Sequence, residues 1–324
     1  MKPSILVLGS VWSDDVREQV AQAFDCHFMI AVPQSGDPAF DAIAGSIRGV
    51  LTTGTVGVTP ALVAQLPRLE IVTVHGVGVD AVPLSLLAEK GINVTNTPDV
   101  LTDDVADFAV LLLLSTVRRL PVLDRYVRAG DWLAKAPLGH VQARALKGKV
   151  AGIVGFGRIG QAVAARLEGF GLQIRYYQRS PGPAPAQRSA TLLALAQESD
   201  MLVLCMPGGA DTQGMIDRAI IEALGPEGTL INIARGTVVD EAALVAALQD
   251  GRLGAAGLDV FENEPQVPEA LLALDNVVLT PHVGSFTVEA RRAMGALAVA
   301  NLKAHFAGEQ GFFLTLLDGD DEHV

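Results

Sequence analysis

Residues 149–160, KVAGIVGFGRIG, constrain this chain more than any other stretch. The apolar run at 150–154 reads as a buried parallel strand. It leads straight into Gly155, Gly157 and Gly160, spaced G-x-G-x-x-G, and a helical pattern follows at 161–170. The spacing has a mechanical reason. Gly155 permits the tight strand-to-helix turn, Gly157 lets a pyrophosphate approach the backbone, and Gly160 lets helix and strand pack closely. The helix N-terminus then offers N–H groups and a positive dipole end to phosphates. Taken alone, the three glycines also fit a Gly-rich turn in some other α/β protein. The strand before them and the helix after them favour dinucleotide binding.

A chain of 324 residues suggests two domains of about 150 residues each. A net charge of −12 argues against nucleic acid or an anionic membrane as partner. It does not argue against a small anion, which local groups hold. Cys26 and Cys205 sit in apolar runs, as reduced thiols of a cytoplasmic protein would. No Cys or His pair has ligand spacing, so no metal is expected. The N-terminus reads as a first strand at 4–9 rather than a cleavable leader. The longest apolar run, 108–114, is short of the ~20 residues a bilayer crossing needs. A soluble, cytoplasmic protein is expected.

Along the first third, short apolar runs alternate with amphipathic ones. Strands are predicted at 5–8, 27–32, 49–52, 71–74 and 92–94, and helices at 14–24, 60–65 and 83–88. This alternation implies a parallel sheet. The fourth strand ends in His75-Gly76-Val77-Gly78-Val79-Asp80. Such a turn either holds a carboxylate on its N–H groups or is a plain strand-to-helix connection. Asn96-Thr97-Pro98 reads as a link. Thr102 is placed to cap a long helix reaching about Arg119, with Asp103 and Asp104 in its first turn. A second helix is predicted at 122–129. The irregular stretch 131–148, with Trp132, Pro137 and His140, is long enough to have a job such as a subunit contact.

Beyond the glycines, a strand at 173–177 ends in Gln178-Arg179-Ser180. NAD-preferring sites carry Asp or Glu about 20 residues after the glycines, to hold the ribose 2′-OH. Here an Arg and a hydroxyl stand instead, which favours NADP over NAD; a surface Arg in a site relying on other contacts is the competing reading. Strands at 201–205, 229–233, 254–258 and 277–279, with helices at 215–223 and 241–249, complete a second doubly wound unit. Asp240 is placed to cap the later helix. The last helix, 288–306, needs a new surface and is expected to return to the first unit. The domains predicted are thus 1–98 with 287–324, and 99–286. The acidic tail at 318–323 is expected to fray.

Three strand ends of the second unit carry polar groups. In Asn232-Ile233-Ala234-Arg235-Gly236, a guanidinium follows a buried strand, where it would grip a carboxylate bidentately or simply face solvent. Residues 258–265, LDVFENEP, are too acidic for a plain buried strand. In Thr280-Pro281-His282-Val283-Gly284-Ser285, a His stands where α/β sheets place site residues. A Glu beside it would stabilise its imidazolium and give a proton donor near neutral pH.

Together these motifs resemble the D-isomer-specific 2-hydroxyacid dehydrogenases. The resemblance rests on GFGRIG at 155–160, INIARG at 231–236, GAAGLDVFENEP at 254–265 and TPHVGS at 280–285, supported by HGVGVD at 75–80 and TNTPDVLTDDVAD at 95–107. It implies an α/β fold of two doubly wound parallel sheets, a Rossmann NAD(P)-binding domain inserted in a flavodoxin-like substrate domain. It implies that Arg235 binds the substrate carboxylate and carbonyl, that His282 is the acid/base, and that Glu264 is its partner. Val77 and Gly78 would hold the substrate carboxylate from the other domain. Asp259 would contact the nicotinamide amide, with Thr102 near the ring and Arg158 and Ile159 under the pyrophosphate. Gln178, Arg179, Ser180, Pro207, Thr212, Ile233, Ala234 and Gly284 complete the cofactor contacts expected. Residues 206–210, MPGGA, depart from the family's usual loop, which leaves Pro207 and Thr212 open. Residues 177–180 and the PHVGS ending resemble NADPH-preferring glyoxylate/hydroxypyruvate and hydroxyphenylpyruvate reductases. Members are usually homodimers whose cleft closes on substrate.

The reaction expected is reduction of a small 2-oxo acid by hydride from NADPH. NAD-linked oxidation of a hydroxy acid is the alternative. A dinucleotide-sensing scaffold is a further one, against which the intact Arg235, Glu264 and His282 set argues.

Overall fold

The computed structural model describes residues 2–9, 14–34, 36–139, 141, 143–179 and 186–309. It divides into two compact units. One takes the described residues up to Leu101 and those from Phe286 onward; the other is Thr102–Ser285.

The first unit alternates β1 (Ser4–Leu8), α1 (Asp14–Ala23), β2 (Asp25–Met29), α2 (Pro38–Ala44), β3 (Ile47–Thr53), α3 (Pro60–Gln65), β4 (Ile71–His75), α4 (Leu84–Glu89) and β5 (Asn93–Thr95). Every pairing is parallel, in the order β2-β1-β3-β4-β5. This is the flavodoxin-like order. Alternation along β1 separates two apolar layers. Leu6 and Leu8 join Phe40, Leu62 and Leu87 on one face, and Ile5 and Val7 join Val16, Val20 and Leu302 on the other. The helix α2 has no counterpart among the predicted elements. Its start carries a legible signal: Asp37 accepts from Ala39 N–H, and Pro38 opens the helix. Strand β2 begins two residues before the predicted run and stops at Met29.

The second unit contains α5 (Thr102–Val117), α6 (Leu120–Arg128), β6 (Val150–Val154), α7 (Arg158–Glu168), β7 (Gln173–Tyr177), β8 (Gln187–Arg188), α8 (Leu192–Gln197), β9 (Met201–Leu204), α9 (Arg218–Leu224), β10 (Thr229–Asn232), α10 (Glu241–Gln249), β11 (Ala255–Leu258), α11 (Glu269–Leu272) and β12 (Val277–Leu279). The last helix, α12 (Val288–Ala307), lies in the first unit, where it packs against α1. A Cβ on its Gly295 would overlap Val16.

The second sheet is parallel throughout, in the order β12-β11-β10-β9-β6-β7-β8. The strand order reverses between β6 and β9, the switch point at which such sheets bind dinucleotides. The long helix α5 buries Leu112, Leu113 and Thr116 on this sheet. Gly257 of β11 permits that approach, since a Cβ there would stand 2.8 Å from Leu112 Cγ. Thr102 is the first residue of α5, one place inside the cap position predicted for it. The helix expected from 215 begins only at Arg218. Asp217 caps it by accepting from Ile220 N–H, and Ile216 pairs instead with Val239. Asp240 caps α10 as predicted, accepting from Ala243 N–H. The short β8, α8 and α11 were not anticipated; elements of two to six residues are too brief to show a period.

Candidate active site

The carboxyl ends of β10, β11 and β12 are adjacent, because those strands are neighbours in the sheet. Each ends in one of the polar segments singled out above. At the end of β10, Asn232 is 1% exposed and folds its side chain over the next turn. Its Oδ1 accepts from Ala234 N–H at 3.0 Å, and its Nδ2 donates to the Arg235 carbonyl at 2.9 Å. The turn that carries Arg235 is therefore tied at both ends by one buried amide. Ala234 is buried and Ile233 half-buried within it. Gly236 follows, and a Cβ there would overlap the Phe261 carbonyl carbon. Only glycine lets the β10 turn lie against the β11 loop this closely.

That loop holds Glu264. One carboxylate oxygen accepts from Phe261 N–H at 3.1 Å, and the other meets His282 Nδ1 at 2.8 Å. Burial raises the Glu264 carboxyl. The bond and charge of His282, the Phe261 N–H and the Arg235 charge outweigh it, and hold the group below the usual carboxylate range. The two side chains are 27% and 35% exposed, so the pair is half-sheltered and still open on one side.

His282 has φ +55°, a left-handed backbone that a side chain seldom adopts. Asp259 holds it there. The backbone N–H of His282 donates to the Asp259 carbonyl at 2.8 Å. Oδ1 of Asp259 accepts from Val283 N–H at 2.9 Å and Thr280 Oγ1 at 2.7 Å, and Oδ2 accepts from Gly284 N–H at 2.9 Å. Three successive N–H groups thus end on one residue. Burial pushes the Asp259 carboxyl above the usual range, against the pull of these bonds and of the His282 charge. The roles of Asn232 and Asp259 as braces were not read from the sequence. A hydrogen bond from a strand end to its own turn leaves no periodic trace.

A second cluster lies at the switch point. Gly155 has φ +86°, and a Cβ on it would stand 2.7 Å from Met206 N. A Cβ on Gly160 would overlap the Gly155 carbonyl oxygen. Gly157 is the N-cap of α7 and provides no capping side chain, and the helix opens with Arg158 and Ile159. A turn this tight and a helix end this open fit a pyrophosphate. In the neighbouring 206–214 loop, Thr212 donates to the carbonyls of Pro207 at 2.9 Å and Gly209 at 3.3 Å. It is 5% exposed and braces the loop from within. Gln178 and Arg179 follow β7, and Arg179 pairs with Asp211 at 2.9 Å. Ser180 lies outside the described residues, as does His140. Cys205 is half-buried just after β9, and desolvation pushes its thiol up to about 12, away from the thiolate form. Among the described residues, no group of three His, Cys, Asp or Glu is placed to hold a metal ion.

In the first unit, the loop after β4 is fastened from below. Gly76 N–H donates to Thr97 Oγ1, Thr97 N–H to the Gly76 carbonyl, and Asn96 Nδ2 to the Val77 carbonyl, at 2.9–3.0 Å. Asn301 of α12 in turn donates to the Asn96 carbonyl at 3.1 Å. The N–H groups of Val77 and Gly78 make no hydrogen bond to described residues. A Cβ on Gly54 would stand 2.5 Å from the Gly78 carbonyl oxygen, so the loops after β3 and β4 touch.

Residues 110–284 match the model of the NAD-binding domain of D-isomer-specific 2-hydroxyacid dehydrogenases. The chain belongs to that family. The dehydrogenase is 51% identical to a glyoxylate/hydroxypyruvate reductase of Arabidopsis thaliana, over 82% of this chain and 84% of that one. It is 43% identical to a 2-ketogluconate reductase of Gluconobacter oxydans, over 94% and 96%. Among solved structures, it superposes on an NADPH-dependent glyoxylate/hydroxypyruvate reductase from Sinorhizobium meliloti, in complex with NADP and malonate, with a TM-score of 0.90. That alignment is 42% identical and covers 98% of this chain and 97% of the other. The dehydrogenase is thus an NAD(P)-dependent oxidoreductase of 2-oxo and 2-hydroxy acids, with the fold its family motifs implied. No helix among the described residues is long and apolar enough to cross a membrane.

Proposed function

We propose that the dehydrogenase reduces small 2-oxo acids of the glyoxylate/hydroxypyruvate type to the D-2-hydroxy acid, with NADPH as reductant. The observation that carries this is the His282–Glu264 pair at 2.8 Å, on a turn locked by Asp259, beside the end of β10 that bears Arg235. A dinucleotide held by its pyrophosphate at the α7 N-terminus would supply hydride from its reduced nicotinamide to the substrate carbonyl carbon. The chain's own groups do the rest. Glu264 occupies Nδ1 of His282, so Nε2 is the atom that carries a proton to the developing alkoxide. Arg235 grips the substrate carboxylate and stabilises the charge forming on the carbonyl oxygen. In the first unit, the N–H groups of Val77 and Gly78, which make no hydrogen bond to described residues, are the proposed donors to a substrate carboxylate. With the carboxylate fixed, only one face of the carbonyl meets the hydride and a single configuration results, the D isomer for which the family is named.

NADPH is favoured over NADH because Arg179 stands where an NAD site carries a carboxylate. The Sinorhizobium relative, NADPH-dependent and bound to NADP, supports this. The Gluconobacter relative extends the substrate range worth testing to sugar-derived 2-oxo acids. We further propose a homodimer. Leu120 and Val127 of α6, with Trp132, Leu133 and Leu138 of the stretch that follows it, are 44–91% exposed, an apolar load suited to a second copy. The free thiols Cys26 and Cys205 agree with a cytoplasmic setting.

His282→Gln tests the chemistry. Removing a general acid costs about 10²–10⁴-fold in kcat, with NADPH affinity intact. A kcat within a few-fold of wild type would show that the proton comes from elsewhere.

A further inference from the structure

Arg188 has no part in the reading above and belongs to no motif of the sequence. It sits on β8, a two-residue strand at the sheet edge, in register with Tyr176 of β7. That register turns its guanidinium onto the chain leaving β7. Nη2 donates to the Gln178 carbonyl and to the Arg179 carbonyl, both at 2.9 Å. These are the positions at which dinucleotide folds meet the adenosine ribose.

The charges around that spot are uneven. Arg179 is paired with Asp211 at 2.9 Å, a carboxylate 72% exposed on the loop after β9. Arg188 spends its hydrogen bonds on two neutral carbonyls and makes no ion pair among the described residues. Holding the carbonyls also keeps the guanidinium from swinging away, so its position is prepaid. A planar cation fixed beside a second Arg suits a phosphate dianion far better than a ribose hydroxyl.

We propose that Arg188 is the residue that sets cofactor choice, forming with Arg179 the seat of the 2′-phosphate of NADPH, and that Asp211 is the counter-ion Arg179 gives up on binding. The inference rests on the NADPH reading of the site, and deepens it.

Titration calorimetry with NADP⁺, NAD⁺ and 2′,5′-ADP tests it without turnover. Arg188→Gln raises Kd for NADP⁺ and 2′,5′-ADP about 10–100-fold, the size of one or two charge-assisted hydrogen bonds. Its Kd for NAD⁺ shifts less than about three-fold, because a hydroxyl draws little from the cation. Arg188→Lys retains the charge and stays within about ten-fold of wild type for NADP⁺. Asp211→Asn tightens NADP⁺ a few-fold by removing a competing anion. Equal weakening toward both cofactors in Arg188→Gln would make Arg188 a mere loop brace and overturn the proposal. So would unchanged NADP⁺ affinity. A wild-type enzyme that binds NAD⁺ as tightly as NADP⁺ would instead overturn the NADPH reading itself, before any variant is made.

Discussion

Glu264 uses both carboxylate oxygens, one on Phe261 N–H and one on His282. Glu264→Gln keeps the shape and loses the charge. A charge-assisted bond is worth about 1.5–3 kcal/mol, so kcat falls about 10–100-fold while the NADP⁺ Kd holds. The pH dependence has a definite sign. The folded-state carboxyl lies below the usual range, so its stabilisation is complete above the unfolded pKa of about 4.3 and vanishes as pH falls through the lowered folded value. Urea melts of wild type and Glu264→Gln therefore differ near neutrality and converge in acid. A gap that persists at low pH would mean that Glu264 acts by packing rather than by charge. At this scale the reactive side chains were readable, since each follows an apolar run within a distinctive motif. Their braces were not. Asn232 and Asp259 act through hydrogen bonds to backbone, and a sequence records only that a polar residue ends a strand.

At the scale of elements, close backbone approach decides where the strand ends meet. Gly236 against Phe261 is the tightest such contact around the proposed catalytic groups. Gly236→Ala is expected to push the β10 turn off the β11 loop and destabilise the fold by about 1–3 kcal/mol or more, with kcat falling further than stability alone explains. Thermal melts beside kcat measured well below the melting point separate the two. Normal kcat in a folded variant would show that the Arg235 turn tolerates displacement. Strands and long helices were readable here because buried parallel strands are continuous apolar runs, and α5 and α12 carry sixteen and twenty residues. The helix α2 was missed although Asp37-Pro38 is a cap followed by an N1 proline. Seven residues, two of them buried, gave no face to read.

For the whole molecule, a charge of −12 is at odds with anionic substrate and cofactor only at long range. Beyond a Debye length of about 8 Å at physiological salt the field is largely screened, and Arg235, Arg179 and Arg188 act inside it. The exposed apolar residues of α6 and of the stretch after it are the surface that the proposed dimer would bury. Replacing Trp132 and Leu133 with Asp is expected to convert a sedimenting dimer to monomer; a wild-type monomer would refute the dimer outright. The account as a whole turns on hydride transfer to a 2-oxo acid with protonation by His282. The most direct measurement is the loss of reduced-nicotinamide absorbance when the enzyme meets glyoxylate, hydroxypyruvate, hydroxyphenylpyruvate or 2-ketogluconate, with chiral analysis of the product. The account predicts NADPH consumed faster than NADH and a D-2-hydroxy acid formed. An enzyme that binds the dinucleotide yet reduces none of these acids, or that yields the L-acid, would contradict it.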